Sequence, residues 1–470
     1  MNAPLIWIGI PAIVAFILLG LTRWKRLTAS IAIFLELGLT GLAWILPVGK
    51  LTQFGIFAFE INPAWSILGR KFVLQSSDRP IIVILNLALI LWFIGALECD
   101  IHPRFIPLGI GLSALMSAAL FIQPFYYGVI FLFIAMVLAV VMLANISGQV
   151  GVGMIRFLIF QALSLPFLLL AGWMVSNLEI NPNDTFQLTS VSLMISLGLS
   201  LILAVFPFHS WLDMVSTESH PFLVSYLFFI IPFMTNIFSI LFIQQNPLFN
   251  NSLWVVAFFR INGFLMTMIG GLEAAFHHHL GKLMSYAIMV EIGMIQLILG
   301  LGFVSAENRS FMAIIFPLIF ASLISLVMLG LSMSILQSHF KDLSLSSITG
   351  SEKNFPLATI AVFISLLCLA GFPITAEFPA YLAIWQSLFL NFPLGGISAL
   401  VGSLGILIGC VRTLAVMMRT EETMDQMAVE TSYQKILLGV GILVIFIMGI
   451  FPQIFVPITF NMGITFLGGG

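Results

Sequence analysis

The sequence has very few charged residues for its length. Aspartate, glutamate, lysine and arginine make up 8% of its 470 residues, whereas soluble domains carry about 25%. Hydrophobic residues make up 60%, and the mean hydropathy is +1.15. This composition excludes an ordinary soluble globular domain and predicts an integral membrane protein that lies in a lipid bilayer.

Other scarcities exclude further classes of protein. The net charge of −2 offers no basic surface, so nucleic acid is not expected as a partner. The three cysteines, Cys99, Cys368 and Cys410, lie far apart without metal-ligand spacing, and we interpret them as packing residues. The sequence contains no glycine-rich phosphate loop and no nucleophile elbow. It therefore predicts no cofactor and no metal, and it argues against redox or group-transfer chemistry by this chain alone.

Apolar runs long enough to cross a bilayer, roughly 20 residues each, occur fourteen times. We therefore predict an all-α, polytopic membrane bundle of about 14 transmembrane helices, forming one domain over residues 1–470. Segments 7 and 12 are predicted to be broken, at Pro207 and at Ala370–Pro373. The predicted spans are residues 3–21, 27–48, 80–97, 105–122, 124–146, 156–175, 191–207, 222–243, 253–275, 283–303, 311–335, 355–392, 396–418 and 434–456.

The distribution of lysine and arginine predicts the orientation. With the N-terminus outside, eleven basic residues fall on the inner side and five on the outer side, as the positive-inside rule requires. The even number of segments then returns the C-terminus to the outer side. The longest outer connection contains the stretch QFGIFAFEIN, whose alternation of residues predicts a short hairpin.

The stretch from Pro207 to Val224 concentrates polar residues beside a proline at membrane depth. Proline removes a backbone donor and frees a carbonyl. Ionisable groups at membrane depth are expensive and commonly functional. His209 is a candidate proton relay, because imidazole titrates near physiological pH; alternatively, it only caps freed carbonyls. We expect Asp213 to lie in a solvated loop at the inner mouth of the bundle.

The other candidate residues for a proton pathway lie between Glu273 and Glu377, in the second half of the chain. Glu291 lies about 13 Å along its helix from Lys282, too deep to reach water easily, and the two side chains point to opposite sides. Lys282 either takes part in the pathway or extends to the inner interface. Glu273 lies near the end of segment 9, and Glu377 lies in the second break. The run His277–His279 does not predict a metal site, because consecutive helical residues do not converge on one point.

Three stretches resemble the proton-pumping, antiporter-like membrane subunits of respiratory complex I (NADH:quinone oxidoreductase) and of multisubunit cation/proton antiporters. VFPFHSWL, with a helix starting near PFLVS, resembles the family's PFHxWLPDA…PxPVSA. HHLGKLMSYAIMVEIG resembles DLKRLLAYSSISHxG, and LAGFPITAEFPAYLAIW resembles LAGxPPxxGFxxKxxxF. The resemblance covers residues 100–420, which would form the antiporter-like core.

The sequence departs from this family at the residues that pump protons there. The family's TM5 glutamate falls on an apolar stretch around Ile134, its TM7 lysine on Ile202 and its TM12 lysine on Tyr381. Glu291 stands where the family has a histidine. Such a glutamate–lysine pair is thought to modulate proton affinity electrostatically, and both of its members are missing here.

Three functions remain open at this point. The resemblance implies a membrane subunit, without an enzymatic site of its own, of an assembly that couples proton or cation translocation to a redox or ion gradient. His209, Lys282, Glu291 and Glu377, with Asp213 and Glu273, would then form a divergent route. The alternatives are a non-conducting structural paralogue and a stand-alone secondary transporter. We expect other membrane subunits as partners, no quinone binding by this chain, and location in a prokaryotic inner (plasma) membrane.

Overall fold

A computed structural model describes most of the chain. The described residues are 2–49, 51–54, 57–67, 69–144, 150–178, 185–245, 249, 253–304, 307–340, 342–419 and 429–468. Within these ranges seventeen α-helices follow one another: Ile10–Gly20 (α1), Lys25–Ile45 (α2), Arg79–Ala96 (α3), Phe105–Phe121 (α4), Gly128–Leu143 (α5), Val152–Leu178 (α6), Thr185–Ile202 (α7), Ser210–Glu218 (α8), Pro221–Gln244 (α9), Leu253–Phe276 (α10), Leu280–Gly302 (α11), Ile315–Phe340 (α12), Pro356–Leu369 (α13), Phe378–Asn391 (α14), Pro393–Met417 (α15), Ser432–Ile450 (α16) and Pro452–Phe466 (α17).

The helices form a bundle of membrane dimensions. Among the described residues, ten helical stretches are long and apolar enough to cross a bilayer, and four shorter apolar stretches accompany them. The bundle is apolar outside as well as inside. Large apolar side chains such as those of Phe34 and Phe186 are more than four-fifths exposed. Such a surface is compatible with hydrocarbon and not with water. The protein is therefore an integral membrane protein, and the prediction of an all-α polytopic bundle is confirmed.

The helices differ greatly in burial. Every residue of the spanning part of α11 is buried, and α9 is almost as enclosed, whereas α2, α6 and α16 are mostly exposed. Helices α9 and α11 therefore form the centre of the bundle. Glu291, in the middle of α11, therefore has no direct route to bulk water.

Two small antiparallel sheets lie outside the helices. The predicted hairpin is present, with Leu51–Phe54 (β1) paired to Phe57–Glu60 (β2). A second hairpin, Ala64–Ile67 (β3) with Arg70–Val73 (β4), adds Ile122–Gln123 (β5) as a third strand. This second hairpin was not predicted from the sequence. Its third strand, β5, comes from the distant turn between α4 and α5, so no local pattern indicates the pairing of β4 with β5.

The connections gather at two opposite ends of the bundle. At one end, the sheet end, Asn2 bridges to Asn62 and the Arg79 guanidinium donates to the Leu46 carbonyl. At the other, the His209 end, the Lys25 ammonium donates to the Cys99 carbonyl over 2.8 Å. The polar stretch around Pro207 lies at the His209 end. Its ionisable side chains are therefore at the end of the bundle opposite the sheets.

The helix boundaries differ from the predicted spans in two places. Helix α7 ends at Ile202, five residues before Pro207, and the chain then turns into α8. The last predicted span, residues 434–456, is divided at Phe451 into α16 and α17. The cause is Pro452, which has no N–H group to continue the hydrogen-bond ladder of α16. The sequence analysis gave Pro207 this role but overlooked Pro452.

Helices α10, α11 and α15 pack with backbone against backbone, and glycine allows this approach. A Cβ atom built on Gly405 of α15 would lie 1.9 Å from the carbonyl oxygen of Gly271 on α10. Real atoms cannot approach so closely, so any side chain at position 405 forces the two helices apart. Small residues at such crossings are a general feature of helix packing in membranes.

We expect Gly405→Ala to destabilise the bundle by about 1–3 kcal/mol, the usual cost of overpacking. Gly439→Ala is the matched control, because Gly439 on α16 has no atom within 4 Å of its would-be Cβ. The measurement is the thermal unfolding midpoint of both variants in the same detergent. Equal midpoints for the two variants would contradict the close α10–α15 contact.

Candidate proton pathway at the two helix breaks

The chain between α7 and α8 adopts a strained conformation that presents His209. Ala204 has a φ of 54°, in the left-handed region that costs a residue with a side chain about 1–3 kcal/mol. Such strain is concentrated at functional sites in proteins. His209 precedes α8 and stacks on Phe206 with ring centroids 5.5 Å apart. Its Nδ1 atom is buried without a hydrogen-bond partner among the described residues.

Asp213 and Lys282 form an ion pair at the same end. The Lys282 Nζ atom lies 3.9 Å from Asp213 Oδ2, and both side chains are partly exposed. The prediction of a solvated loop was wrong for Asp213, because the residue lies inside α8, in its first turn. The hydroxyl of Ser285 also donates to Ser216 over 2.8 Å. Together the two contacts fasten α8 to the start of α11.

Glu273 completes a cluster of ionisable groups around His209. It lies in the last turn of α10, where its Oε2 atom is 3.1 Å from His277 Nδ1. The carboxyl groups of Asp213 and Glu273 both lie close enough to interact electrostatically with His209 and with Tyr286. The structure thus brings four of the six predicted pathway residues together at the His209 end: His209, Asp213, Glu273 and Lys282.

The three consecutive histidines have separate surroundings, as their spacing predicts. His277 contacts Glu273 on α10, whereas the Nε2 atom of His279 lies 3.3 Å from Asp342 Oδ1. Burial lowers the pKa of His279, and the nearby Asp342 opposes that effect. Hydrogen bonds, chiefly from the Ser344 hydroxyl, lower the pKa of Asp342. His277 and His279 therefore contact different segments, the end of α10 and the loop after α12.

Glu291 lies at the buried centre of the bundle and pairs with a serine. Its Oε1 atom accepts a hydrogen bond from the Ser322 hydroxyl of α12. The sequence analysis did not select Ser322, although Ser322 and Ser325 are spaced to share one face of an apolar helix. Glu291 and Lys282 do not pair, as predicted from their angular separation, since Lys282 contacts Asp213 instead.

Glu377 is the second central carboxyl group. It precedes α14 and is fully buried, with neither carboxyl oxygen hydrogen-bonded among the described residues. Ser325 lies beside it, but the serine hydroxyl donates to the Ala321 carbonyl at 3.1 Å. The charges of Glu377 and Glu291 interact with each other. Among the described residues, neither acid has a basic partner within ion-pair distance.

Tyr381, the residue on which the resemblance places the family's TM12 lysine, closes the second break. Its hydroxyl donates to the carbonyl of Leu369 at the end of α13, over 2.9 Å. Its ring packs on Gly371, whose φ of 68° belongs to the left-handed region that glycine adopts readily. Ile374 has a φ of 75° without that freedom. The second break is therefore strained like the first, and a neutral phenol stands where a cation would be.

The other two family positions offer no charge either. Ile134 on α5 is 44% exposed on the outside of the bundle, and Ile202 at the end of α7 is buried among apolar residues. Neither position can contribute to proton affinity electrostatically.

Arg260 lies in the apolar helix α10 and contacts a main-chain carbonyl and an aromatic ring. Its Nε atom donates to the carbonyl of Gly300 on α11 over 3.2 Å, and its guanidinium lies 5.1 Å from the ring centroid of Phe392. A main-chain carbonyl and an aromatic face together stabilise a cation in an apolar setting. Sequence patterns do not reveal such partners, because both come from other helices.

Fold and site together define a polytopic, transporter-like membrane protein with buried acids beside broken helices. A family model described as NADH:quinone oxidoreductase/Mrp antiporter, TM matches residues 117–409, more than half of the chain. The chain belongs to this family of antiporter-like membrane subunits, whose members take part in proton or cation translocation.

Solved structures share the fold over nearly the whole chain at low sequence identity. The membrane-bound sulfane sulfur reductase, an archaeal respiratory membrane complex, contains a chain with a TM-score of 0.80 and 13% identity, covering 99% of this chain and 97% of that one. A chain of the Mrp complex from Dietzia sp. DQ12-45-1b gives 0.75 and 14%, covering 99% and 98%. One from respiratory complex I of Thermus thermophilus gives 0.73 and 19%, covering 100% and 99%.

A curated relative matches a smaller part of the chain. Formate hydrogenlyase subunit 3 of Escherichia coli (strain K12) is 25% identical over 202 residues, which is 41% of this chain and 32% of that protein. The match therefore spans about a third of the relative's length. All these similar proteins are named as complexes or as subunits of larger systems.

Proposed function

We propose that this chain translocates protons as one subunit of a multisubunit membrane assembly, by a route that depends on buried carboxyl groups. The observation that carries the proposal is that Glu291 and Glu377 are both buried, lie close enough to interact electrostatically and have no basic partner within ion-pair distance among the described residues. Two nearby buried carboxyl groups cannot both stay ionised at reasonable cost. Such a pair is suited to bind a proton and to release it.

The proposed route has an entrance and an exit. Protons enter at the His209 end, where His209, Asp213, Glu273 and Lys282 form a partly hydrated cluster. They reach Glu291, about 13 Å further along α11, and pass to Glu377. The strained break around Ile374 then leads towards the sheet end. We take the His209 end as the inner side, because most basic loop residues lie there.

This assignment places both termini on the outer side of a prokaryotic inner membrane, as the distribution of basic residues suggests. The proposed partners are other membrane subunits, which would supply the redox or ion-gradient coupling. The proposal gives this chain no quinone, cofactor or nucleic acid to bind. It treats residues 1–470 as one membrane domain.

The entrance can be tested with the assembly purified through a tag on this chain and reconstituted in vesicles that enclose a pH-sensitive dye. We expect His209→Ala and Lys282→Met each to slow proton translocation severalfold, because each removes an ionisable group of the entrance. Lys435→Met is the matched control, since Lys435 lies on α16, away from this cluster. Unchanged rates in both entrance variants would contradict the proposal.

A second function deserves testing because of one specific observation. The resemblance places the three family charges on neutral residues, one of them in an apolar stretch around Ile134, which is 44% exposed on the outside of the bundle. This favours a non-conducting paralogue that spaces neighbouring subunits. In that case the assembly would keep its full translocation rate when Glu291 and Glu377 are replaced together.

A further inference from the structure

A small cavity lies beside Glu291 at Pro232 of α9. Its volume is ≈ 20 Å³, and its lining includes Glu291 and, from α9, Phe228 and Pro232. Glu291 retains 6% exposure although the spanning part of α11 is otherwise enclosed. A cavity needs about 10–15 Å³ to hold one water molecule. This cavity is therefore large enough for one water molecule.

The lining is mainly apolar, but two of its residues carry polar groups that can bind a water molecule. Pro232 lies inside α9 and has no N–H group, so the Phe228 carbonyl loses its donor four residues later. The carboxyl group of Glu291 uses only Oε1 for Ser322. A buried water is held by two to four hydrogen bonds. The freed carbonyl and the second carboxyl oxygen supply two acceptors for the two hydrogens of one water.

Phe228 also connects the cavity with the first helix break. Its ring contacts that of Trp211 on α8, with centroids 6.3 Å apart. The Trp211 indole Nε1 is itself buried without an acceptor among the described residues. Phe228 thus lies between α8, which begins next to His209, and the central acid. The lining of the cavity is therefore in contact with the helix that begins next to His209.

We propose that this cavity binds a structural water that bridges the Phe228 carbonyl and the Glu291 carboxyl group. When Glu291 is ionised, the water donates to both groups. When Glu291 is protonated, its O–H group donates to the water, which still donates to the Phe228 carbonyl. The site therefore solvates Glu291 in either protonation state within an apolar setting. A use of this water in proton transfer rests on the proposed function, whereas the binding of water does not.

The test compares two variants that remove the site by different means. Pro232→Ala restores an N–H group that can bond the Phe228 carbonyl, and Ile295→Phe adds bulk to the lining without changing the backbone. Pro166→Ala is the matched control, because Pro166 is also inside a helix, α6, but is exposed on the outside of the bundle. The first measurement is a high-resolution electron cryo-microscopy map of the assembly. The second is infrared detection of hydrogen–deuterium exchange at the Glu291 carboxyl group.

We expect water density between Phe228 and Glu291 in the wild type and in Pro166→Ala, and its loss in both cavity variants. Exchange at the Glu291 carboxyl should slow markedly in the same two variants. Absence of the density in the wild type, or unchanged exchange in both cavity variants, would overturn the inference. If the water is present but the assembly translocates no protons, the proposed function fails and the water site remains.

Discussion

Replacing Glu291 with glutamine is expected to lower proton translocation by the assembly at least about a hundredfold, the lower range for loss of an acid–base group. The amide oxygen of glutamine can still accept the hydrogen bond from the Ser322 hydroxyl, so the local packing is preserved. An amide cannot bind and release a proton, however, and the route is interrupted at its centre. The measurement is dye-detected proton uptake into vesicles that contain the reconstituted assembly.

Two further variants make this result specific. Glu218→Gln is the control for loss of a carboxylate, because Glu218 accepts a hydrogen bond from the Gly153 N–H at the start of α6 and takes no part in the route. We expect it to keep nearly the full rate. Ser322→Ala should give an intermediate rate, since it removes a hydrogen bond but leaves the carboxyl group. A Glu291→Gln assembly that pumps as well as Glu218→Gln would contradict the central role of Glu291.

Replacing Glu377 with methionine is expected to stabilise the protein while it abolishes translocation. Glu377 is fully buried, and neither carboxyl oxygen has a hydrogen-bond partner among the described residues. Burial of an unsatisfied polar group costs about 1–3 kcal/mol by mutational measures. Methionine has a similar volume and no such cost. The unfolding midpoint in detergent should therefore rise, although the proton pathway loses its second carboxyl group.

Glu430 provides the opposite case within the same chain. It is also buried, but its Oε1 atom accepts a hydrogen bond from the Ala358 N–H in the first turn of α13, over 2.7 Å. Glu430→Met leaves that donor unsatisfied and should lower the unfolding midpoint. If Glu377→Met were destabilising like Glu430→Met, Glu377 would be a structural residue. A higher unfolding midpoint for Glu377→Met and a lower one for Glu430→Met would distinguish a functional acid from a structural one.

The sequence predicted features that depend on local patterns. Apolar runs revealed the helical bundle, and the alternation around Phe57 revealed the first hairpin. Proline indicated the region where α7 gives way to α8. Each of these signals is contained in a few consecutive residues, because hydrophobic burial and the missing proline N–H act locally.

The sequence could not predict contacts between distant segments. The ion pair of Asp213 with Lys282 depends on how α8 packs against α11, and Asp213 by itself looked like a loop residue. The proximity of Glu291 to Glu377 depends on the position of the α13–α14 break in the folded bundle. The water site at Pro232 requires a cavity, and no spacing of residues encodes a cavity.

The central claim is that Glu291 and Glu377 bind and release protons. Infrared difference spectroscopy tests it most directly, by comparing the assembly at rest and during turnover in the carboxylic-acid C=O region. The account predicts carboxylic-acid bands that change on turnover in the wild type and in Glu218→Gln and that are missing in Glu291→Gln and in Glu377→Met. Carboxyl bands that stay the same during turnover, in an assembly that pumps protons, would contradict it.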